Sequence, residues 1–218
     1  MQQVVLRVWQ KSNRVGRGEL AEAVVSAPLL PFTRNWNDAS LAGHTLFSSG
    51  TPAHAIVSSR YQLSNGFAGG ASSSRLDTAY SVADFALEVD LVVVANNAGR
   101  QGVIYRTTGW GNSGGMFAYQ AWIFPVAGTG LQLRLQSGGN NPAGGIENDL
   151  QIVSIPGPDS GTFRMRLEVS GSTHRVFING VQRISLVDSA FLSPGQFGLY
   201  MTSNNSQVAQ FDNLRIDY

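Results

Sequence analysis

Aromatic and polar side chains concentrate in one stretch of the sequence, residues 105 to 122. Within it, "TTGWGNSGG" places Trp110 among glycines, where few local neighbours can pack against it. An aromatic ring can carry a sugar ring on its face, while amide and guanidinium groups bond the hydroxyls. The candidate glycan-binding residues of this stretch are Tyr105, Arg106, Trp110, Asn112, Tyr119 and Trp122. The alternative is structural: Tyr119 and Trp122 pack inside a sandwich, and Trp110 fills a loop.

Two carboxylates, Glu88 and Asp90, are two residues apart in "ALEVDLVVV". Residues at this spacing share one face of a strand. Glycoside hydrolysis needs two carboxyl groups that flank a cleft, about 5 to 9.5 Å apart. The surrounding valines and leucines favour a simpler interpretation, in which both acids lie on the solvated outer face of a buried strand. No catalytic residue is therefore predicted, and we do not expect an enzyme.

The other residues capable of site chemistry are scattered. His44, His54 and His174 lack the spacing of metal ligands, and His174 is expected to face water at a strand end. Calcium prefers clustered oxygen ligands, but the carboxylates and amides that could supply them come singly, at Asn140, Asn141, Asp149, Asp159 and Asp188. The sequence predicts no metal site and no cofactor.

Composition limits the classes of partner. Of the 218 residues only 13% are charged, the net charge is +1, and Lys11 is the single lysine. Nucleic-acid binding depends on clustered cations, so it is not expected. There is no cysteine, and no apolar stretch approaches the roughly 20 residues that span a bilayer. The start "MQQVVLRVWQKSNR" also lacks the pattern of a secretory signal, which predicts a chain made in a cytoplasm without membrane insertion, the host's cytoplasm if it is a virion component.

From residue 32 onward the pattern is that of β-structure. "DFALEVDLVVVA" and "TFRMRLEVSG" alternate apolar and polar residues with the period of a strand, and turns of Gly, Asn and Pro separate the segments. In "RVFINGVQRISL", Asn179-Gly180 joins two alternating segments, which is the strongest short-range indication of a β-hairpin. We predict an all-β antiparallel sandwich at residues 32–218, preceded by a short arm at residues 1–31.

Four consecutive segments carry a resemblance to a known superfamily. They are "DFALEVDLVVVANNAGRQGVIYRTT", "GMFAYQAWIFPVAGTGLQLRLQ", "GTFRMRLEVSGSTHRVFINGVQRISLVD" and "SPGQFGLYMTSNNSQVAQFDNLRIDY". Together they resemble the concanavalin A-like lectin/glucanase superfamily, and within it the laminin-G-like domains. The resemblance implies a jelly-roll β-sandwich. The glucanase branch carries an E-x-D-x-x-E motif, of which this sequence has only Glu88 and Asp90.

The arm at residues 1–31 differs from the rest of the chain. "QVVLRVWQ" has apolar residues on both faces of a strand, and a basic segment follows it. A strand of this kind either packs on its own sandwich or adds to an edge of a neighbouring chain. The predicted interface residues are Val4, Leu6, Val8, Trp9, Lys11, Arg14 and Arg17.

Two functions remain open at this point. The first is a non-catalytic, lectin-like structural protein of a larger assembly, such as a decoration, tail or receptor-binding protein of a phage virion. Its partners would be other subunits, in a homo-oligomer, and cell-surface glycans. The second is a carbohydrate-binding module that stands alone or is attached to an enzyme. A glycoside hydrolase ranks a distant third.

Overall fold

The computed structural model describes residues 32–48, 52–65, 70–76, 82–94, 99–108, 116–140, 148–203 and 208–217. The predicted arm at residues 1–31, with all its interface residues, lies outside this part of the chain. So do Trp110 and Asn112. No helix among the described residues is long and apolar enough to cross a membrane.

The described chain consists of β-strands joined by turns and loops. Its strands are β1 (Phe32–Arg34), β2 (His44–Ser48), β3 (Pro52–Val57), β4 (Arg60–Asn65), β5 (Gly70–Leu76), β6 (Phe85–Val93), β7 (Arg100–Thr108), β8 (Met116–Val126), β9 (Gly130–Asn140), β10 (Asn148–Ile155), β11 (Gly161–Ser170), β12 (Thr173–Ile178), β13 (Val181–Val187), β14 (Gln196–Ser203) and β15 (Val208–Asp217).

These strands form two antiparallel sheets. The eight-stranded sheet has the order β13-β12-β11-β6-β15-β4-β3, with β1 paired beside β15. The seven-stranded sheet has the order β10-β9-β8-β7-β14-β5-β2. One core cluster contains side chains of both sheets, among them Leu87 and Leu167 of the first and Leu133 and Leu199 of the second, so the two inner faces close over it. The predicted fold, an all-β antiparallel jelly-roll sandwich, is confirmed.

The core follows the alternation seen in the sequence. In β6, Phe85, Leu87, Val89 and Leu91 are buried, and in β11 the four residues with the same role are Phe163, Met165, Leu167 and Val169. β6 and β11 pair directly, with Met165 opposite Val89 and Leu167 opposite Leu87. Each buried side chain of this size stabilises the fold by about 1.5 to 3 kcal/mol relative to an exposed one.

The hairpin between β12 and β13 forms as predicted. Asn179 and Gly180 have φ angles of +51° and +78°, the two positive values that a tight type I′ turn requires. The Asn179 side chain also accepts a hydrogen bond from the backbone nitrogen of Arg164 on β11, at 2.8 Å. The hairpin is therefore part of the framework, and its turn is tied to β11.

Candidate functional site

Four of the residues predicted to form a glycan site lie in the described chain, and all four are buried. Tyr105, Tyr119 and Trp122 are 0% exposed and Arg106 is 1% exposed. None of them offers an exposed ring or guanidinium face to a sugar. Tyr105, Arg106 and Tyr119 turn into the sandwich, whereas Trp122 turns to the opposite face of the seven-stranded sheet.

The two tyrosines join a hydrogen-bonded network between the sheets. The hydroxyl oxygen of Tyr105 lies 2.9 Å from Nδ1 of His174, and Nε2 of His174 lies 3.3 Å from the backbone oxygen of Asp188. Tyr119 donates to the Asp188 carboxylate and accepts from the backbone nitrogen of Phe191 at 3.2 Å. Because a carbonyl only accepts, Nε2 carries the proton and Nδ1 accepts from Tyr105.

Arg106 holds the same end of the sandwich by binding backbone oxygens. Its guanidinium donates to the carbonyl groups of Ala83 (2.6 and 2.9 Å), Gly171 (2.7 Å) and Phe191 (3.2 Å). The nearest carboxylate, Asp84, is 3.5 Å away and largely exposed. One buried cation thus satisfies carbonyls from three separate segments, which is a structural role.

The pKa values of the tyrosines agree with a structural role. Burial raises the pKa of Tyr105 well above its usual value, and the neighbouring Tyr119 acts in the same direction. Burial and the hydrogen bond to Asp188 raise the pKa of Tyr119 to about 12. A general base at neutral pH needs a pKa near the working pH, so both phenols stay protonated and serve as hydrogen-bond donors.

The expectation that His174 faces water is wrong, because its side chain is fully buried between the sheets. Its partners and neighbours are Tyr105, Tyr119, Asp188 and Arg106. Burial lowers the pKa of His174 below its usual value of 6.5, and Arg106 adds to this, whereas the bond to the Asp188 carbonyl opposes it.

This lowered pKa predicts how stability depends on pH. The unfolded chain protonates His174 at a higher pH than the folded chain does. The stabilisation is therefore complete above pH 6.5 and is lost as the pH falls from there through the folded pKa. Urea unfolding at about pH 7.5 and about pH 5.5 should show this decline in the wild type and a smaller one in His174→Gln. Equal declines in both proteins would contradict the prediction.

A second polar cluster lies on the outer face of the seven-stranded sheet, the face turned away from the core. In β8, Tyr119, Ala121 and Ile123 belong to the core, so Trp122 and Phe124 point outward. In β9, Leu131, Leu133 and Leu135 belong to the core. Its outward residues are the polar ones in between, Gln132, Arg134 and Gln136.

Trp122 is the centre of this cluster and lies between two arginines. The guanidinium carbon of Arg100, on β7, is 4.5 Å from the centroid of its ring, and that of Arg134, on β9, is 5.1 Å away. Directly across from Trp122 on β7 is Gly102. A Cβ atom there would lie 2.1 Å from the backbone oxygen of Ala121 and 2.7 Å from the Trp122 Cβ. Only glycine fits beside this tryptophan.

Three hydrogen bonds and one cation–π contact link four side chains of this cluster into a closed ring. Nε1 of Trp122 donates to Gln136 (2.6 Å), and Nε2 of Gln136 donates to Asp149 on β10 (2.7 Å). Asp149 in turn accepts from Nη1 of Arg134 (3.1 Å). The Arg134 guanidinium lies over the indole ring of Trp122, which closes the ring of contacts. Nε of Arg134 is held by Gln132 at 2.7 Å. Every member is oriented by its neighbours, so the cluster is ordered before any ligand arrives.

Solvent reaches this ring at its outer edge, on β9 and β10. The side chains of Arg134 and Asp149 are 23% and 36% exposed. Ile152, across from Arg134 on β10, is 45% exposed, and Phe124 is half-buried beside them. We call this set the Trp122 patch: Arg100, Trp122, Phe124, Gln132, Arg134, Gln136, Asp149 and Ile152. It offers fixed donors and acceptors next to apolar surface, which is the combination that binds a polyhydroxylated ring.

The sequence alternation of β9 already contained part of this patch. In "LQLRLQ" the polar residues Gln132, Arg134 and Gln136 all share one face. The sequence does not indicate that Trp122 lies on the same face of the sheet as these residues. The prediction placed Trp122 with the core residue Tyr119, whereas they belong to opposite faces.

The paired carboxylates Glu88 and Asp90 lie on the other sheet, on the outer face of β6. Glu88 bonds Arg166 at 2.6 Å, and Asp90 bonds Arg164 at 2.8 Å. Asp90 is only 7% exposed, so the expectation that both acids are solvated is wrong for Asp90. Burial alone would raise the pKa of Asp90, but the hydrogen bonds from Arg164 and Asn213 outweigh it and lower the pKa.

Metal-ligating side chains do not cluster in the described part of the chain. Groups of three or more His, Cys, Asp or Glu side chains that could hold an ion are absent there. Two of the carboxylates considered as calcium ligands already have protein partners. Asp149 binds Arg134 and Gln136, and Asp188 accepts from Tyr119.

Comparison with known proteins places the fold. The sequence matches no protein-family model and no curated protein, but many solved structures are similar. The carbohydrate-binding module CBM66 of Bacillus subtilis is 20% identical over 81% of this chain and 96% of its own, with a TM-score of 0.61. The β-glucanase of Bacillus licheniformis is 12% identical over 86% of this chain and 98% of its own, with a TM-score of 0.63.

The exoplasmic/lumenal domain of VIP36, in its form with Ca²⁺ and Man3GlcNAc bound, is a third similar structure. It is 10% identical over 85% of this chain and 87% of its own, with a TM-score of 0.62. The present chain shares the jelly-roll fold of these three structures. The predicted resemblance to the concanavalin A-like superfamily is thus confirmed at the level of the fold, and the lectin-like jelly roll spans β1 to β15.

Proposed function

We propose that this lectin-like jelly roll is a non-catalytic carbohydrate-binding module that binds its ligand at the Trp122 patch. The observation that carries the proposal is the closed ring of Trp122, Gln136, Asp149 and Arg134. Ordering these side chains before binding lowers the entropic cost of holding a ligand. The guanidinium and carboxylate at its exposed edge supply charge-assisted bonds to hydroxyl groups.

The proposal assigns a supporting role to Trp122 itself. Because its ring is 0% exposed and lies between Arg100 and Arg134, a sugar cannot stack on it in this arrangement. Sugar hydroxyls would contact Arg134, Asp149 and Gln132, and the apolar face of the ring would lie against Phe124 or Ile152. Trp122 fixes the position of the arginines through its ring.

Similar structures support the ligand class. The names of the CBM66 module and of the Emp46p carbohydrate recognition domain refer to carbohydrate, and the VIP36 domain holds Man3GlcNAc. The carbohydrate in these names and structures belongs to those proteins. Because this chain shares their fold, a glycan array is the first screen for its ligand.

The absence of catalysis is part of the proposal, although one similar structure is a β-glucanase. A glycosidase needs a carboxyl group with a raised pKa as its general acid. The pKa of Asp90 is instead lowered, and Glu88 bonds Arg166. Both acids also lie on the eight-stranded sheet, whereas the Trp122 patch lies on the other sheet.

The test is titration of the best array oligosaccharide into wild type and two arginine variants. Arg134→Gln removes a charged contact of the patch and should weaken binding by about tenfold or more. Arg60→Gln makes the same charge change on the other sheet, at β4, and should change binding by less than about twofold. The oligosaccharide should be recovered intact. Equal effects of the two variants, or release of reducing ends, would contradict the proposal.

Binding could instead depend on the loop that carries Trp110, as the sequence analysis considered. Trp110→Ala separates the two possibilities, because it should leave binding at the Trp122 patch nearly unchanged. A role in a larger assembly such as a phage virion remains a prediction, since the arm at residues 1–31 lies outside the described residues. The native mass of the full chain in solution tests its oligomeric part.

A further inference from the structure

A groove lies on the outer face of the eight-stranded sheet, where β15 is irregular. The pairing of β15 with β6 shifts between Asp212 and Arg215, so β15 carries one extra residue there. Asn213, inside this bulge, has a φ angle of +49°. Its side chain donates to Asp90 at 2.8 Å. Bulges often re-aim side chains at functional sites, and here Asn213, Leu214 and Arg215 line the groove together with Thr33 and Arg34 of β1.

Three arginines line the groove, and protein contacts hold each of them. Arg34 donates to Asp38 at 3.0 Å and to the backbone oxygen of Ser40 at 2.8 Å. Arg164 makes two bonds to Asp90, at 2.8 and 3.1 Å. Arg215 donates from Nε to Asp217 at 2.7 Å. With Thr33, Glu88 and Asn213 these arginines surround a volume of about 400 Å³.

The acids that pair with these arginines lie outside the groove lining. Among the described residues that line it, Glu88 is the one carboxylate and bonds Arg166 at 2.6 Å, while Asp38, Asp90 and Asp217 do not take part. Within the described residues, Arg164 bonds through Nε and Nη2, and Arg215 bonds through Nε alone. Nη1 of Arg164 and both Nη atoms of Arg215 therefore remain for a ligand. The groove therefore presents guanidinium donors to a ligand, and the Glu88 carboxylate in its lining acts on Arg164 and Arg215 as well.

The rest of the lining is polar. Thr33, Asn35 and Asn213 contribute hydroxyl and amide groups, and Leu214 is the one aliphatic side chain among the described residues that line the groove. An apolar peptide side chain would find little matching surface here. A ligand rich in hydroxyl groups matches the lining better, and a carboxylate on it would match the planar donors of arginine.

We propose that this groove, called the Arg215 groove, binds the carboxylate-bearing unit of an acidic saccharide such as a uronic acid. The carboxylate would lie between Arg164 and Arg215, and ring hydroxyls would bond Thr33 and Asn213. The volume of about 400 Å³ lies within the range of small-molecule sites. The groove is separate from the Trp122 patch and lies on the opposite face of the sandwich.

The experiment is calorimetric titration with trigalacturonate, with its fully methyl-esterified form as the ligand control. Wild type should bind the acid form and not the ester, which lacks the charge. Arg215→Gln should weaken binding by about tenfold. Arg175→Gln is the protein control, because Arg175 lies on the same face and is similarly exposed (49% against 53%). It does not line the groove, so its effect should stay within about twofold.

Three outcomes would overturn the proposal. They are no saturable binding of trigalacturonate, equal binding of the ester, and equal losses in Arg215→Gln and Arg175→Gln. Arg134→Gln is a further control: if it abolishes trigalacturonate binding, the ligand occupies the Trp122 patch and the Arg215 groove is not its site. Thermal unfolding of each variant checks that the fold is kept.

Discussion

Replacing Arg106 by methionine is expected to lower the free energy of unfolding by about 3 to 5 kcal/mol, one of the largest effects of any single substitution in this protein. Methionine keeps the apolar stem but removes every donor. The carbonyl groups of Ala83, Gly171 and Phe191 then lose their bonds to the guanidinium. Arg106 is 1% exposed, so water cannot easily replace it. Urea unfolding of the wild type and the variant measures the difference.

Arg175→Met is the matched control, because it makes the same chemical change at an exposed position of β12. Its effect should be within about 0.5 kcal/mol. If Arg106→Met cost no more than Arg175→Met, the buried arginine would not hold the segments together, and the structural role assigned to it would be wrong.

Replacing Gly102 by alanine is expected to be the second large effect, about 2 to 3 kcal/mol of lost stability together with lost glycan binding. The new Cβ would lie 2.1 Å from the Ala121 oxygen and 2.5 Å from the Trp122 Cα. Both contacts are to backbone, so no side-chain movement relieves them. β7 and β8 must separate, and this moves Trp122 away from Arg100 on β7 and disturbs the patch that the two residues help to hold. Unfolding and glycan titration on the same preparation measure both losses.

Gly128→Ala distinguishes this steric effect from the general cost of losing a glycine. Gly128 has a φ angle of +73° and nothing within 4 Å of a built Cβ, so its cost is backbone strain alone, about 1 to 2 kcal/mol. Its glycan binding should be unchanged. Normal binding by a folded Gly102→Ala protein would show that the position of Trp122 does not matter for the ligand.

Local patterns in the sequence predicted most of the fold. The alternation in β6 and β11 identified the core faces, and Asn179-Gly180 identified the hairpin with both of its positive φ angles. These features depend on residues that are adjacent or two apart. The sequence period of a strand contains that information directly.

The location of Arg106 depends on an irregularity that alternation cannot reveal. Regular alternation after Gly102 and Ile104 would place Arg106 on the outer face of the sheet. The register between β7 and β8 instead shifts between Tyr105 and Thr108, and Arg106 has a φ angle of +49°. This bulge turns the side chain toward the other sheet. A glycan site that included Arg106 was therefore a reasonable prediction from the sequence and does not fit the structure.

The Trp122 patch could not be predicted from the sequence for a different reason. Asp149 reaches Gln136 and Arg134 because β10 pairs with β9, across a bulge between Asp149 and Gln151. No local pattern specifies that pairing or the bulge. Asp90 is a similar case, since its burial comes from Arg164, 74 residues along the chain, and Asn213, 123 residues along.

The central claim, that sugar binds beside Trp122, is tested most directly by the indole N–H signals of the protein in a ¹H–¹⁵N NMR titration. The chain has four tryptophans, so four indole signals are expected, and Trp122→Phe assigns the one in question. Because Trp122 Nε1 connects through Gln136 to Asp149, ligand at the exposed edge should shift this signal saturably, with Trp36 in the core unaffected. A saturable shift of the Trp110 signal alone, with that of Trp122 unmoved, would contradict the account.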